Sequence, residues 1–215
     1  NAIKLKDQDK LLCTAKITTE KKLLIFTNIG KVYSIHANKL KIKNNDFEPI
    51  RKYLNLTQDE FILHVNVYSF DGPDLILISE EGKGIISKQK EMLTLTRNGK
   101  VVMNLARGVS VCAVRQVSGS HIAVISDLGN LLVFSHKDIK RLSRGSGIIF
   151  QNLKNGTIID ITTANLDEVI NLVKKNTSRS IIKIDASDYL GERGRIGKSL
   201  KLRNSSNIPL LRFSK

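Results

Sequence analysis

Lysine and arginine gather in four separate stretches of this chain, and each stretch has the composition of a phosphate-binding surface. Residues 38–52 carry Lys39, Lys41, Lys43, Arg51 and Lys52, and residues 88–100 carry Lys88, Lys90, Arg97 and Lys100. Residues 137–147 carry Lys137, Lys140, Arg141 and Arg144, and residues 191–203 carry Arg193, Arg195, Lys198, Lys201 and Arg203. Ammonium and guanidinium groups hold phosphate oxygens by charge-assisted hydrogen bonds. Cations repeated along a rim suit a curved phosphate backbone better than a compact ligand. Gly99, Gly145, Gly147, Gly194 and Gly197 stand beside these cations, where they would let a phosphate approach main-chain N–H groups. Any single lysine reads equally well as solvated surface; the repetition marks the set.

Other chemistry is poorly represented. There is no GxSxG and no HExxH, and the acidic residues are scattered or sit in turns, as Glu80 and Glu81 do. Ser120-His121 and Ser135-His136 are sequence neighbours in strand-like runs, so their side chains point to opposite faces. His36, His64, His121 and His136 have no ligand spacing and no CxxC exists, so neither a metal nor another cofactor is expected. Cys13 and Cys112 lie far apart in apolar or β-patterned surroundings and read as small core residues of an intracellular chain. The stretch from Gly191 to Ser199 looks like a phosphate-binding P-loop. It has five residues between its outer glycines where that motif has four, and Glu192 stands at the glycine position.

The elements that position the loops are β-hairpins. Residues 23–35, 75–87 and 122–134 each read as an apolar run, a polar pair, a glycine and a second apolar run. Gly30, Gly82 and Gly129 supply the positive φ of a tight turn. A fourth, weaker copy spans 169–184, with a turn expected near 176–179 and no glycine. Phe61, Leu63, Val65 and Val67 alternate with Ile62, His64 and Asn66, and Val109, Val111 and Ala113 with Ser110 and Cys112, which predicts half-buried strands. Continuous runs such as 75–78 and 131–134 predict strands buried on both faces. Leu166, Val169, Ile170 and Val173 follow helical spacing, and Asn165 with Glu168 fits a capping box, but the place of this stretch in the repeat predicts a strand. Repetition at roughly 50 residues points to blades around an axis. The expectation is one all-β domain over 1–215, a propeller-like disc with about four blades near 11–58, 59–106, 107–155 and 156–207.

Composition agrees with a polyanion partner. The chain has 215 residues, a net charge of +15 and 41% hydrophobic residues without a tryptophan. Such a field attracts nucleic acid or acidic membrane; the plainer alternative is solubility. No run of 18 apolar residues exists to span a bilayer, and the polar start, Asn1 to Lys10, reads as an excised piece without a signal peptide. Aromatic residues are few, and Phe47, Tyr53 and Phe70 form no stacking row, which favours duplex backbone over single strands.

The hairpin Phe26-Thr-Asn-Ile-Gly-Lys-Val-Tyr33 resembles the C-terminal domain of bacterial type IIA topoisomerase A subunits, and the resemblance extends over essentially the whole chain. Residues 135–147, with Leu142-Ser-Arg-Gly-Ser-Gly147, resemble that family's loop of an aspartate followed by Leu-Ser-Lys-Gly-Lys-Gly. Leu190-Gly-Glu-Arg-Gly-Arg-Ile-Gly197 is similar to the Gly-Glu-Arg-Gly-Arg-Arg-Gly near the end of topoisomerase IV A subunits (ParC). The Gln-Arg-Arg-Gly-Gly-Lys-Gly box of gyrase A subunits (GyrA) is absent, which favours topoisomerase IV over a gyrase domain with a degenerate box. The resemblance implies a β-pinwheel, a disc whose blades exchange strands and whose basic rim engages and bends duplex DNA. It implies a non-catalytic domain of an ATP-dependent enzyme, because the family's cleavage tyrosine follows an arginine and none of Tyr33, Tyr53, Tyr68 or Tyr189 does. Expected partners are duplex DNA, the rest of the ParC polypeptide and the ParE subunit, in the bacterial cytoplasm at the nucleoid, with no membrane and no small-molecule substrate. The alternative from another class is a propeller-like platform for protein interaction, which predicts an apolar patch on one disc face.

Overall fold

The computed structural model describes residues 12–40, 42–43, 46–174, 177–200 and 211–214, with 42–43, 46–47, 174 and 177–180 described in the backbone alone. The strands are β1 (Lys22–Thr27), β2 (Lys31–His36), β3 (Ile42–Lys43), β4 (Asp46–Phe47), β5 (Ile62–Val67), β6 (Leu75–Ser79), β7 (Lys83–Ser87), β8 (Lys100–Val101) and β9 (Val111–Gln116). They continue as β10 (His121–Ser126), β11 (Asn130–Ser135), β12 (Ile148–Ile149), β13 (Ile158–Ala164), β14 (Val169–Lys174), β15 (Thr177–Asp185), β16 (Lys198–Ser199) and β17 (Leu211–Phe213). Among the described residues the only helical pieces are short 3-10 turns, and no helix is long and apolar enough to cross a membrane.

The strands form three four-stranded sheets, β5-β1-β2-β8, β12-β7-β6-β9 and β13-β10-β11-β16, a three-stranded sheet β15-β14-β17, and the small β3-β4 pair. Each large sheet is a hairpin, plus a third strand on the outside of its first strand, plus a two-residue strand contributed by the loop after the next hairpin. Thus β8, which follows hairpin β6-β7, completes the first sheet, while β12 and β16 complete the second and third. The fold is an open, all-β pinwheel of about four blades with exchanged strands.

Apolar runs become strands buried on both faces because the blades stack. Leu75 and Leu77 face Leu24, Phe26 and Val32 of the first blade, whereas Ile76 and Ile78 face Ile122 and Val124 of the third. Ala123 and Ile125 in turn face Ile170 and Leu172 of the fourth. The remaining face of the first blade (Leu23, Ile25, Tyr33, Ile35) is covered by its own loop through Leu54, Ile50 and Tyr53.

In the first three hairpins the first strand shifts register against its third strand just before a buried hydroxyl residue. The shifts fall at Phe26/Thr27, Ile78/Ser79 and Ile125/Ser126. Ser79 donates to the Lys83 carbonyl at 3.3 Å, and Ser126 accepts from the Asn130 N–H at 3.2 Å. The extra residues opposite are Leu63, Cys112 and Ile159. A bulge reverses which face later side chains occupy. That corrects the alternation expected over 61–67. Leu63 packs toward the second blade, Val65 packs toward the first blade's loop, Phe61 is exposed and the buried member is Asn66. Asn66 is satisfied there by Gln89 at 3.1 Å and Gln116 at 2.6 Å.

Residues 169–174 are a strand, as the repeat predicts, and the capping-box pair survives as a turn. The Asn165 N–H donates to the Glu168 carboxylate at 2.8 Å, and the Glu168 N–H to the Asn165 carbonyl at 3.1 Å. Of the turn expected near 176–179, residues 177–179 instead belong to β15, where Thr177 pairs with Lys174, and residue 176 lies outside the described residues.

Candidate nucleic-acid interface

Each of the last three basic loops is hydrogen-bonded to the residues that immediately follow the preceding one. The Asn55 N–H donates to the Arg97 carbonyl at 2.8 Å, linking loop one to loop two. The Asn104 N–H donates to the Gly145 carbonyl at 2.8 Å and the Gly145 N–H to the Val102 carbonyl at 3.1 Å, linking two to three. Asn152 to Arg195 at 3.1 Å and Gly194 to Phe150 at 2.9 Å link three to four. An arginine reaches backward at each junction. Arg97 donates to the carbonyls of Tyr53 and Lys52, Arg144 to the Asn104 side chain at 3.1 and 3.2 Å, and Arg193 to the Ile149 carbonyl at 2.7 Å. All three arginines remain exposed, so each staples its loop and still presents charge to solvent.

The predicted cations divide into two groups. Lys39, Lys88, Lys137 and Lys140 are exposed and have no side-chain partner among the described residues. Others already hold protein groups. Arg51 donates to the carbonyls of Leu56, Thr57 and Glu60, and Arg141 pairs with Asp74 at 2.9 Å and caps the Ile139 carbonyl at 2.7 Å. Lys52 pairs with Glu48 at 3.0 Å and Arg195 with Glu192 at 3.0 Å, exposed pairs of little energetic weight. Lys90 lies 5.8 Å from the Phe70 ring centre, and Lys100 and Lys198 donate to the carbonyls of Glu91 and Asp188. Lys41, Lys201 and Arg203 lie outside the described residues, as does the side chain of Lys43.

Two concavities gather cations from neighbouring loops. Lys39 and Lys52 of loop one meet Arg97 of loop two around a cavity of about 430 Å³, which Lys22 also lines. Lys88 and Lys90 of loop two meet Arg141 of loop three around one of about 340 Å³. Lys22 was invisible as a site residue in the sequence because it opens a strand and not a loop.

The glycines do different work from that expected of them. The N–H groups of Gly99, Gly145 and Gly194 are already donated to Thr96, Val102 and Phe150. Gly99, Gly147 and Gly197 each precede an exchanged strand with φ between +72° and +88°. A Cβ on Gly147 would stand 2.8 Å from the Gly84 carbonyl oxygen, and one on Gly197 2.5 Å from that of Leu131. These residues seat one blade's loop on the previous hairpin. The acidic residues are structural as well. Glu60 is buried and accepts from Thr27 at 2.7 Å and from the Tyr33 hydroxyl at 2.9 Å, which, after burial itself, raises the Tyr33 pKa. No three His, Cys, Asp or Glu residues among those described cluster as metal ligands.

The family of DNA gyrase C-terminal domains, a β-propeller, matches residues 21–46, 73–118 and 120–165. The A subunit of DNA topoisomerase 4 from Rickettsia conorii is 28% identical over 92% of this chain and 26% of its own length. The corresponding protein of Caulobacter vibrioides is 30% identical over 77% of this chain and 22% of its own. The chain thus spans about a quarter of the length of the curated relatives it matches. Among solved structures, the E. coli ParC C-terminal domain superposes with a TM-score of 0.76 at 19% identity, covering 89% of this chain and 81% of that one. A DNA gyrase A C-terminal domain gives 0.70 at 22% identity, covering 92% and 66%. The matched segments cover the first three hairpins and the third strands that follow the second and third of them, more than half of the chain, so this chain belongs to the DNA gyrase C-terminal domain family and is a C-terminal β-pinwheel domain of the ParC/GyrA type.

Proposed function

We propose that this domain, acting as one unit over 1–215, binds duplex DNA along its four basic loops and bends it for a topoisomerase IV whose cleavage tyrosine lies in another domain. The observation that carries this reading is the series of hydrogen bonds from each loop to the residues just after the preceding one, which sets four cationic loops side by side. The exposed lysines contact phosphates, the stapling arginines hold the loops in line, and no base edge is read, so affinity is indifferent to sequence. Engaging and bending the DNA segment tunes the parent enzyme's choice of supercoiled or linked substrates in the bacterial nucleoid. The ParE subunit is the partner in the assembled enzyme. The names of the relatives and the missing glycine-rich box support topoisomerase IV over gyrase.

Titration with a short mixed-sequence duplex across salt concentrations tests this. About six phosphate contacts give a slope of log K against log salt near −5. Affinity that ignores salt refutes the mechanism. Changing Arg193, Arg195 and Lys198 together to alanine weakens binding equally on all sequences; unchanged affinity removes loop four from the interface.

A further inference from the structure

Strand exchange follows a fixed register. The donated strands begin at Lys100, Ile148 and Lys198, each thirteen residues after the end of the preceding hairpin strand at Ser87, Ser135 and Asp185. Each is preceded by a glycine, Gly99, Gly147 or Gly197, and followed by a buried apolar residue, Val102, Phe150 or Leu200. The N–H of that apolar residue donates to the turn glycine of the host hairpin: Val102 to Gly30 at 2.9 Å, Phe150 to Gly82 at 2.8 Å and Leu200 to Gly129 at 2.8 Å. The occupant of a host edge therefore has the form glycine, two strand residues, apolar residue.

Loop one breaks this register. Thirteen residues after His36 stands Pro49, with Glu48 at the glycine position, and residues 50–52 form a 3-10 turn instead. Proline cannot donate to a ladder and glutamate resists the positive φ. Loop one instead folds its apolar residues onto the outer face of the first blade. It is a cap and not a donor.

The fourth hairpin has the opposite property. Among the described residues β15 pairs only with β14 and has no donated strand on its other edge. By register with Val32, Gly84 and Leu131 of the other hosts, the accepting residue is Ile181. Val32 and Leu131 are buried both by the donated apolar residue and by the next blade, whereas Ile181, with no further blade beyond it among the described residues, is 56% exposed, with Val169 exposed on the same face. An unpaired edge beside an exposed isoleucine is an acceptor for an added strand.

We infer that the outer edge of β15, at Ser180 and Ile181, is a docking site for an extended segment of another polypeptide carrying Gly-x-x-apolar. The three occupants of the equivalent edges define this chemistry, Gly-Lys-Val-Val, Gly-Ile-Ile-Phe and Gly-Lys-Ser-Leu. The partner's apolar residue covers Ile181, and its strand residues pair with the free edge. A second copy of this chain is excluded as donor, because its three donor segments are engaged in its own blades and loop one carries Glu48 and Pro49. The inference does not depend on DNA binding.

The test is a titration of the isotope-labelled full chain with the peptide Arg-Asn-Gly-Lys-Val-Val-Met, the sequence of residues 97–103, followed by backbone amide shifts. A control peptide has proline in place of the second valine, the counterpart of Val102 whose N–H donates to the host hairpin. The expected result is weak, saturable perturbation centred on Ile181 in β15, absent with the control peptide and absent in an Ile181→Asp chain that keeps the remaining spectrum. No perturbation by the first peptide, or equal perturbation by both, overturns the proposal. So does slow amide exchange at Ser180 and Ile181 in the free chain, matching Lys31 and Val32, or a dimer protected at the same edge.

Discussion

Asp160 ties three blades together through one carboxylate. It sits in β13 of the third blade, 1% exposed, and accepts from Arg115 of the second blade at 2.7 Å and from the Phe213 N–H of the fourth at 2.9 Å. Burial raises its pKa, and the Arg115 guanidinium and the N–H donors of Ile161 and Phe213 only partly offset this. Removing the carboxylate leaves the Ile161 and Phe213 N–H groups without their acceptor while the partly exposed Arg115 turns to water, so Asp160→Ala should lower stability by about 1–3 kcal/mol, read from urea unfolding. Because the folded state holds this proton more tightly than the unfolded chain, the residue favours folding increasingly as pH falls from above its raised value toward the ordinary 3.8. Asp160→Asn should flatten the stability curve across that window; an unchanged curve would assign the pH dependence to other carboxylates. Cys112, the bulge residue of the second blade, has its thiol pushed up to about 12 by burial and the nearby Asp160 and Glu80. It should resist alkylation in the folded chain and react on unfolding, as mass spectrometry of labelled peptides will show. Above its ordinary value near 9 only the unfolded chain ionises this thiol, so stability should fall as pH rises from there toward 12. No sequence pattern points to the Arg115–Asp160 pair. Two residues 45 positions apart meet only because adjacent blades put their third strands side by side.

The turn glycines act at the scale of the element. Gly30, Gly82 and Gly129 were legible as turn residues, because an apolar run, a polar pair and a glycine need no more than local geometry to be recognised. Their second role was not legible. A Cβ on Gly30 would lie 2.2 Å from the Met103 carbonyl oxygen, and one on Gly82 2.3 Å from that of Gln151, atoms brought there by loops some 70 residues away. Gly108 has the same conformation, φ +78° against +81° at Gly82, with nothing within 4 Å of a Cβ. Alanine at Gly108 should therefore cost only the backbone penalty, about 1–2 kcal/mol. Alanine at Gly82 should cost clearly more, since it also unseats the exchanged strand β12. Equal losses in urea unfolding would mean that the exchanged strand yields without cost. The bulges were hidden for a related reason. Alternation of apolar residues assigns faces correctly only while the register holds, and one inserted residue at Leu63 or Cys112 reverses it.

Across the whole molecule, the blade repeat was readable because each unit reuses one hairpin, and the basic loops were readable because charge recurs with it. Which cations are free was not readable, since lysine and arginine look alike in a loop until their neighbours are placed. The structure separates Lys39, Lys88, Lys137 and Lys140, exposed on three consecutive loops, from Arg51 and Arg141, whose guanidiniums close main-chain turns. The two groups should fail differently. Changing the four lysines to glutamine should leave the unfolding midpoint in place. If all four touch phosphate, it should make the salt slope of duplex binding shallower by roughly 3 to 4, at about 0.9 per lost contact. Changing Arg51 to alanine removes charged hydrogen bonds to three carbonyls and should cost about 1.5–3 kcal/mol of stability with little change in slope. If the lysine variant binds duplex with an unaltered slope, the phosphates track the arginine junctions instead, and the staples themselves become the contact surface.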